Sequence, residues 1–279
     1  MKKIGFVDYY LHEWHANNYP AWFSEVCARL GKEYKIAYAW AELEASPDDG
    51  VTSDEWCKKY GAEKCVTLEE LCEKSDYILI LAPSNPEKHL GYAEIALKYG
   101  KRTYIDKTFA PDAATAEKIF ALGKKYNTPF FSSSALRYAD ELTGVRAASV
   151  MTTGGGRSLE EYIIHQAEMV VKTLGTGAKR VQVEDGAEKI CRVEYGDGRR
   201  AVMIYDDGLP FNVYVKKENG ERAFLPIVSD YFKNLIADIV NFFETGERSF
   251  CPEETMEVMR IREAAVRGEK DPGKWIELK

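Results

Sequence analysis

Residues Tyr77–Lys107, YILILAPSNPEKHLGYAEIALKYGKRTYIDK, decide the fold of the first half of this chain. The run Tyr77–Leu81 is apolar throughout, as expected of a strand that is covered on both faces. A helix-like segment follows it and ends near Gly100, and a second apolar run comes next at Arg102–Ile105. This strand–helix–strand order predicts two parallel strands that are joined by a right-handed crossover.

The same alternation extends on both sides of this stretch. Four more short apolar runs predict strands at Lys3–Val7, Tyr34–Ala41, Lys64–Val66 and Pro129–Ser132. Between them lie amphipathic segments with helix-end signals, such as Pro20 and Gly31 around the first one. We therefore expect an α/β domain over residues 1–132, a Rossmann-type doubly wound parallel sheet that binds a dinucleotide.

After about Arg157 the pattern changes to alternating apolar and polar residues. Strands are predicted at Arg180–Glu184, Lys189–Tyr195, Arg199–Tyr205, Phe211–Lys216 and Arg222–Ile227, and helices at Leu159–Leu174, Asp230–Thr245 and Pro252–Arg267. Asp207-Gly208 and Asn219-Gly220 are typical of hairpin turns. The stretch Met151–Gly156 is the nearest thing to a linker. Residues 133–279 are thus predicted to form an α+β domain with an open, mainly antiparallel sheet.

Composition excludes several classes of function. The 279 residues carry a formal net charge of −7, which offers no electrostatic footprint for nucleic acid. No apolar run approaches the length that spans a membrane, so we expect no membrane partner. The six cysteines form no C-x-x-C pair and have no secretory context. They indicate reduced thiols in a cytoplasmic protein.

The loop after the first strand lacks the G-x-G-x-x-G pattern of dinucleotide-binding folds. Tyr9 and Tyr10 stand where glycines normally allow a pyrophosphate to approach, and Asp8 and Glu13 would repel phosphate. Other backbone amides of the loop could still serve a coenzyme. Glu42, just after the second strand, could bind a ribose 2′-hydroxyl and would favour NAD over NADP. A solvated loop carboxylate is an equally good interpretation of Glu42.

The tract His12-Glu13-Trp14-His15 raises the question of a metal site. Zinc proteases use H-E-x-x-H, which places both histidines on one helical face, and H-E-x-H does not. A loop with Asp8 as a third ligand could still chelate. We expect no metal here, and interpret these side chains as the wall of a cleft.

Two further places carry side chains suited to catalysis. Lys107 follows the fifth predicted strand, at the sheet edge where ligands bind, and could hydrogen-bond a substrate or act as a base. Pairing with Asp106 is an equally good interpretation. Glu161, His165 and Glu168 share one helical face, and a histidine between two carboxylates suits a general base. A solvated polar face is the alternative.

The order of these motifs resembles the Gfo/Idh/MocA oxidoreductases, the family of glucose–fructose oxidoreductase and inositol dehydrogenase. That family carries an E-K-P motif and a D-x-x-x-H-x-x-D helix. The residues here that match these two motifs are Asp106-Lys107-Thr108 and the set Glu161, His165 and Glu168. Ala82-Pro83-Ser84-Asn85 and His89, which follow the predicted strand Tyr77–Leu81, also fit the family. The resemblance covers nearly the whole chain, which departs from it in the first loop and in a shortened second domain.

The resemblance implies an oxidoreductase that transfers a hydride to or from a carbinol carbon of a sugar, polyol or related small molecule, using NAD(P). It implies that Lys107 contacts substrate and nicotinamide, that His165 transfers the proton and that Glu161 supports it. We expect coenzyme contacts at Asp8, Tyr9, Tyr10, Glu42, Pro83, Ser84, Asp106 and Lys107. Substrate contacts are expected at Lys107, Arg137, Tyr138 and His165.

Two other functions stay open at this point. One is a binding or regulatory protein on the same scaffold that has lost its dinucleotide. The other is a non-redox lyase or hydrolase that uses His12, His15 and His165, with or without a metal. The open sheet over Lys189–Ile227 also predicts a homo-oligomer, because a single-layer sheet needs cover on both faces.

Overall fold

A computed structural model of the chain describes residues 1–278, which form two compact units. The first unit contains residues 1–133 and 235–249, and the second contains residues 134–234 and the chain from residue 250 onward. The sequence predicted a change of domain between residues 132 and 133 and assigned everything after it to the second domain. In the structure, residues 235–249 are counted with the first unit.

The first unit is built on a parallel sheet of six strands in the order β3-β2-β1-β4-β5-β6. Its strands are β1 Lys2–Asp8, β2 Tyr34–Ala41, β3 Glu63–Lys64, β4 Tyr77–Ile80, β5 Thr103–Ile105 and β6 Phe130–Phe131. Its helices are α1 Trp14–Leu30, α2 Ser53–Tyr60, α3 Leu68–Lys74, α4 His89–Ala96 and α5 Ala113–Tyr126. This strand order is that of dinucleotide-binding folds, whose ligands lie beyond the carboxyl ends of the strands.

Helix α7, Tyr231–Thr245, contributes its later turns to the first unit. The ring of Phe243 stacks on Tyr77 with 4.5 Å between centroids, and it also contacts Tyr34. Glu244, next in the chain, accepts hydrogen bonds from Lys2 at 2.5 Å and from the Tyr34 hydroxyl. Aromatic stacking and a charge pair thus fix this segment of α7 to β1, β2 and β4.

The second unit is built on a mixed sheet in the order β12-β11-β7-β10-β9-β8-β13. Its strands are β7 Ala147–Gly154, β8 Ala178–Glu184, β9 Lys189–Tyr195, β10 Arg200–Tyr205, β11 Asn212–Lys217, β12 Arg222–Pro226 and β13 Trp275–Glu277. All neighbours are antiparallel except β7 and β10, which are parallel. Helices α6 Leu159–Leu174 and α8 Pro252–Glu269 cover one face of it. The predicted fold class, a Rossmann-type sheet followed by an α+β domain, is confirmed.

The interpretation of Met151–Gly156 as a linker is wrong. Most of this stretch belongs to β7, which lies inside the sheet between β11 and β10. A Cβ atom on Gly155 would lie 1.9 Å from the carbonyl oxygen of Asp206. One on Gly156, where φ is +149°, would meet the ring of Tyr162. These glycines are therefore required by close packing after the strand, and not by chain mobility.

The second face of this sheet carries one row of side chains that crosses all seven strands in register. The row consists of Phe224, Tyr214, Met151, Val202, Arg192, Gln182 and Trp275. Phe224, Tyr214 and Met151 are respectively 63%, 38% and 41% exposed. On this face the sheet thus presents an apolar strip, while the alternate residues on the same strands are buried beneath α6 and α8.

Candidate active site

A buried carboxylate ends β1. The side chain of Asp8 is 1% exposed, and its Oδ1 accepts hydrogen bonds from the backbone N–H groups of Tyr9 at 2.7 Å and Ala82 at 3.0 Å. Ala82 takes a left-handed φ of +53°, uncommon for a residue other than glycine. Oδ2 of Asp8 is buried without a hydrogen-bond partner among residues 1–278. Burial, with the nearby charge of Glu13, raises the pKa of Asp8 well above its ordinary value.

Glu13 caps helix α1 with its own side chain. Its carboxylate accepts the backbone N–H of His15 at 2.7 Å and that of Ala16. These amides belong to the first turn, where helix N–H groups have no partner within the helix. Burial is the main effect that raises the pKa of Glu13. The tract that suggested a metal site in the sequence therefore contains a helix cap.

His15 and Asp106 form a buried pair beside Lys107. Nδ1 of His15 hydrogen-bonds Oδ2 of Asp106, and the His15 ring stacks on Tyr19 at 5.3 Å. Oδ1 of Asp106 accepts the hydroxyl of Tyr104 at 3.1 Å and the backbone N–H of Lys107 at 2.8 Å. Burial acts to raise the pKa of Asp106, but the charges and hydrogen bonds of His15 and Lys107 together outweigh it and lower that pKa overall.

Lys107 lies at the carboxyl end of β5, as its place in the sequence predicts. Its side chain is 9% exposed, and Nζ donates to the carbonyl oxygen of Pro83 at 3.3 Å. Pro83 is buried and Ser84 is exposed. His89 is fully buried, with its ring nitrogens 2.6 Å from the carbonyl oxygen of Leu81 and 3.0 Å from that of Phe109. His89 thus ties the end of β4 to the segment after Lys107.

A cavity of about 470 Å³ opens beside Glu42 in the first unit. Glu42 accepts from Lys88 at 2.5 Å and from the Tyr92 hydroxyl at 2.9 Å, and the Lys88 hydrogen bond lowers its pKa. Trp40 and Tyr92 line the cavity with an edge-to-face contact of 5.6 Å. The backbone N–H of Glu42 donates to the carbonyl oxygen of Asp8 at 3.1 Å. The cavity therefore adjoins the loop that follows β1.

His165, on α6 in the second unit, is held by Ser134, a residue for which the sequence predicts no role. The ring is 9% exposed, and its Nδ1 lies 2.7 Å from Oγ of Ser134. The rings of Tyr162 and Phe211 lie 5.6 Å from it. The hydroxyl of Ser134 also accepts the backbone N–H of Leu136 at 3.3 Å. Ser134 thereby fixes the rotation of the imidazole.

Glu161 and Glu168, on the predicted polar face, have different surroundings. Glu161 forms an ion pair with Arg157 at 2.5 Å, near the helix surface. Glu168 is buried and accepts the backbone N–H of Ser134 at 3.2 Å. The role of orienting His165, which the family resemblance implies for Glu161, therefore has a second candidate in Ser134, and Glu168 anchors that residue.

Arg137 is the cation of this network. Its Nε donates to Glu168 at 2.5 Å and its Nη1 to Glu254 at 2.9 Å, while its guanidinium lies 4.0 Å from the ring centroid of Phe250. The side chain is 2% exposed, and in the described part of the chain its Nη2 has no hydrogen-bond partner. Tyr138, next to it, is half-buried, and its carbonyl accepts from Asn234 at 3.0 Å.

Three residues, Ser134, Glu13 and His15, have structural roles that were not predicted from the sequence. Ser134 is one of three consecutive serines, and no sequence signal distinguishes it from Ser132 and Ser133. Glu13 directly precedes a helix, but glutamate is not among the residues that are preferred as caps, so the sequence does not indicate its role. His15 pairs with Asp106 across 91 positions of sequence, a contact that spacing does not reveal.

The described side chains and helices also bear on metals and membranes. Among residues 1–278, no group of three or more histidine, cysteine, aspartate or glutamate side chains could hold a metal ion. No helix of that part of the chain is both long and apolar enough to cross a bilayer. All six cysteines are free thiols, five buried and Cys251 exposed.

No protein-family model matches the chain. The uncharacterized oxidoreductase YhhX of Escherichia coli is 35% identical over 57 residues, which are 20% of this chain and 16% of that protein. This chain thus matches less than a fifth of the length of that relative.

Among solved structures, the myo-inositol dehydrogenase of Lactobacillus casei in complex with NAD(H) and myo-inositol is similar with a TM-score of 0.82 and 11% identity. The match covers 100% of this chain and 97% of that one. The apo scyllo-inositol dehydrogenase of the same organism is similar with a TM-score of 0.77 and 13% identity, and the match covers 99% of this chain and 98% of that one. The UDP-N-acetylglucosamine 3-dehydrogenase of Acidithiobacillus ferrooxidans has a TM-score of 0.75 and 12% identity, and the match covers 97% of each chain. The resemblance to the Gfo/Idh/MocA dehydrogenases is confirmed at the level of the fold.

The similar myo-inositol dehydrogenase contains NAD(H). The residues of this chain match the nucleoside and the pyrophosphate of such a dinucleotide differently. The cavity beside Glu42, with two aromatic walls, matches a nucleoside in size and polarity. The N-terminus of α1, where the pyrophosphate lies in dinucleotide-binding folds, is capped by Glu13 and adjoins the buried carboxyl of Asp8. The pyrophosphate therefore does not fit its usual place while Glu13 holds the cap.

Proposed function

We propose that this chain is an NAD(P)-dependent oxidoreductase that moves a hydride to or from a carbinol carbon of a sugar, a polyol or a related small molecule. The observation that carries the proposal is His165, a nearly buried imidazole whose Nδ1 is held 2.7 Å from Ser134. The fold supports the class, because the similar structures named above are dehydrogenases of inositols and of a sugar nucleotide.

The role of His165 in this proposal is proton transfer. Oxidation of an alcohol removes the hydroxyl proton, and Nε2 of His165 accepts it, while in the reverse direction the ring returns it. Imidazoles have an ordinary pKa of about 6.5, which suits proton exchange near neutral pH. Ser134 positions the ring, and Glu161 stays a proposed electrostatic partner of the imidazolium.

Lys107 is proposed to donate a hydrogen bond to the substrate and to contact the coenzyme. Its backbone is fixed by Asp106, which supports this role. Tyr138 is proposed to contact the substrate. Arg137, which the sequence suggested as a substrate contact, is proposed here as a positioning residue, because two of its nitrogens are engaged by Glu168 and Glu254.

The coenzyme is proposed to be NAD. A carboxylate at the end of β2 can accept from a ribose 2′-hydroxyl and repels the 2′-phosphate of NADP, and Glu42 has that place. The other proposed coenzyme contacts are Asp8, Tyr9, Tyr10, Pro83, Ser84, Asp106 and Lys107. For Asp8, Tyr9 and Tyr10 the contacts would be through the backbone.

A second candidate function is a binding protein on this scaffold that takes no dinucleotide. The observation in its favour is the pair of carboxylates, Asp8 and Glu13, at the N-terminus of α1. Such a protein would bind a nucleoside or another compact ligand in the cavity beside Glu42 and would show no turnover.

A homo-oligomer is proposed as the assembled form. The strip of Phe224, Tyr214 and Met151 on the second face of the mixed sheet supports it, since a contiguous exposed apolar surface marks interaction sites. The sheet of a second copy is the proposed cover.

The test combines coenzyme binding with turnover. Purified protein is titrated with NADH and NADPH by calorimetry and then assayed with a panel of polyols and sugars. We expect NADH to bind, and expect His165→Asn to lower kcat by about two orders of magnitude while NADH binding is unchanged. Lys107→Met should lower kcat/KM, whereas Lys125→Met, on the exposed side of α5, should change neither kcat nor kcat/KM. Unchanged turnover in His165→Asn contradicts its role, and absence of binding by either coenzyme leaves the second candidate.

A further inference from the structure

The carboxylate of Glu13 occupies the place at the first turn of α1 where an anionic ligand would bind. Both carboxylate oxygens of Glu13 are used, one by the N–H of His15 and one by that of Ala16. The backbone of Glu13 is extended, with φ −123° and ψ 170°, as usual for a capping residue. The same two amides are the donors that a phosphate would need at this helix end.

A second carboxyl group lies close to this cap. Asp8 is 1% exposed, and its Oδ2 has no hydrogen-bond partner within residues 1–278. Burial, together with the charge of Glu13, raises its pKa. Tyr9 follows it, and Lys88 lies over the Tyr9 ring at 4.7 Å with its ammonium bound to Glu42. A pyrophosphate entering here would meet two carboxyl groups, and the ammonium of Lys88 is already paired.

We infer that Glu13 determines which ligands the first unit accepts: in its capping position it excludes a pyrophosphate from the N-terminus of α1, and a dinucleotide binds only after the carboxylate has left the cap. This inference rests on the proposed function, and it names the residue that limits coenzyme affinity. A nucleoside without phosphates is not subject to this exclusion, because its binding requires no change at the cap.

The experiment compares NADH with adenosine on a series of variants at one position. Glu13→Ser and Glu13→Gln remove the charge, and serine remains a good capping residue. Glu13→Asp keeps the charge. Glu25→Gln removes a carboxylate from the exposed middle of the same helix and is the matched control. Calorimetry gives the Kd of NADH and of adenosine for each protein, and thermal unfolding shows that each is folded.

We expect the Kd of NADH to fall about tenfold or more in Glu13→Ser and Glu13→Gln, because a charged cap no longer has to be displaced. Glu13→Asp and Glu25→Gln should stay within about twofold of the natural protein, well below a tenfold step of affinity. The Kd of adenosine should be the same in all five proteins.

The outcomes separate this inference from the proposed function. If the natural protein and the neutral variants bind NADH equally, the inference is overturned and the proposed function stands. If only the neutral variants bind NADH, the inference stands and the proposed function fails for the natural sequence. If none of the proteins binds NADH, both are overturned.

Discussion

Replacing Ser134 by alanine tests how the second unit prepares His165 for proton transfer. The substitution removes a hydroxyl that lies 2.7 Å from Nδ1 of His165 and that also accepts the N–H of Leu136 at 3.3 Å. Both partners lie in one unit, so the effect can be interpreted without reference to any other part of the chain. The imidazole keeps its place on α6 but loses the contact that fixes its rotation.

The expected magnitude follows from the burial of the ring. A buried polar group that loses its partner costs about 1–3 kcal/mol. If this whole cost appeared in the barrier, the rate would fall about 5- to 160-fold, because 1.36 kcal/mol is a factor of ten. Part of the cost falls on folding, since the N–H of Leu136 loses its acceptor as well. We therefore expect kcat/KM to fall about tenfold to hundredfold, with a small decrease in Tm.

The assay follows the absorbance of the reduced nicotinamide in four proteins: the natural chain, Ser134→Ala, His165→Asn and the double variant. Ser134→Ala should have little further effect when His165 is already asparagine, because both changes remove the same function. Ser134→Thr, which keeps the hydroxyl, should recover most of the loss. Nitrogen NMR of labelled histidine should show a mixture of ring tautomers in Ser134→Ala. Natural kcat/KM in Ser134→Ala, or independent effects that multiply in the double variant, would refute the reasoning.

Three further predictions concern the coenzyme, the pH dependence of stability and the assembly. Glu42→Ala should weaken NAD binding more than NADP binding in calorimetric titrations, while Glu44→Ala, in the same loop, should affect neither; equal losses would mean that Glu42 does not select the ribose. Hydrogen bonding to Lys2 is the main effect that lowers the pKa of Glu244 to about 2, so its contribution to stability is complete above the ordinary pKa of 4.5 and is lost as the pH falls from there towards 2. Glu244→Gln should flatten this part of the unfolding curve, and an unchanged curve would contradict the assignment. Tyr214→Glu should produce monomers in light scattering, whereas Leu30→Glu, at another exposed apolar position, should not; an unchanged mass would place the interface elsewhere.

Much of the fold could be predicted because its signals are local. Strands β2 and β9 and helix α6 begin and end at the predicted residues, since continuous apolar runs, alternation and capping residues each specify an element without distant partners. Strand β7 could not be predicted in this way. Its glycine-rich end is typical of a linker. Only the packed structure explains why glycine is needed there, through the backbone of Asp206 at Gly155 and the ring of Tyr162 at Gly156. Strand β13 is short and exists through its pairing with β8.

The candidate site divides along the same line. The positions of Lys107 after a strand and of His165 on a helix follow from local pattern, and their roles stay predictions. The contacts that hold them do not follow from it: Ser134 and His165 are 31 residues apart, and His15 and Asp106 are 91 apart. The capping role of Glu13 does not follow from local pattern either, because glutamate is not one of the preferred capping residues. Side-chain partners over such separations are determined by the packed fold, which sequence spacing does not describe.

The return of residues 235–249 to the first unit has a consequence for how the protein is made. Phe243, which stacks on Tyr77, and Glu244, which pairs with Lys2, leave the ribosome only after residues 134–234 have been synthesised. In the nascent Rossmann sheet, Tyr34 and Tyr77 therefore stay exposed until a helix encoded about a hundred codons later has been synthesised. A gene fragment that stops at residue 133 should give an aggregation-prone product, and adding the later segment as a separate peptide should restore its solubility.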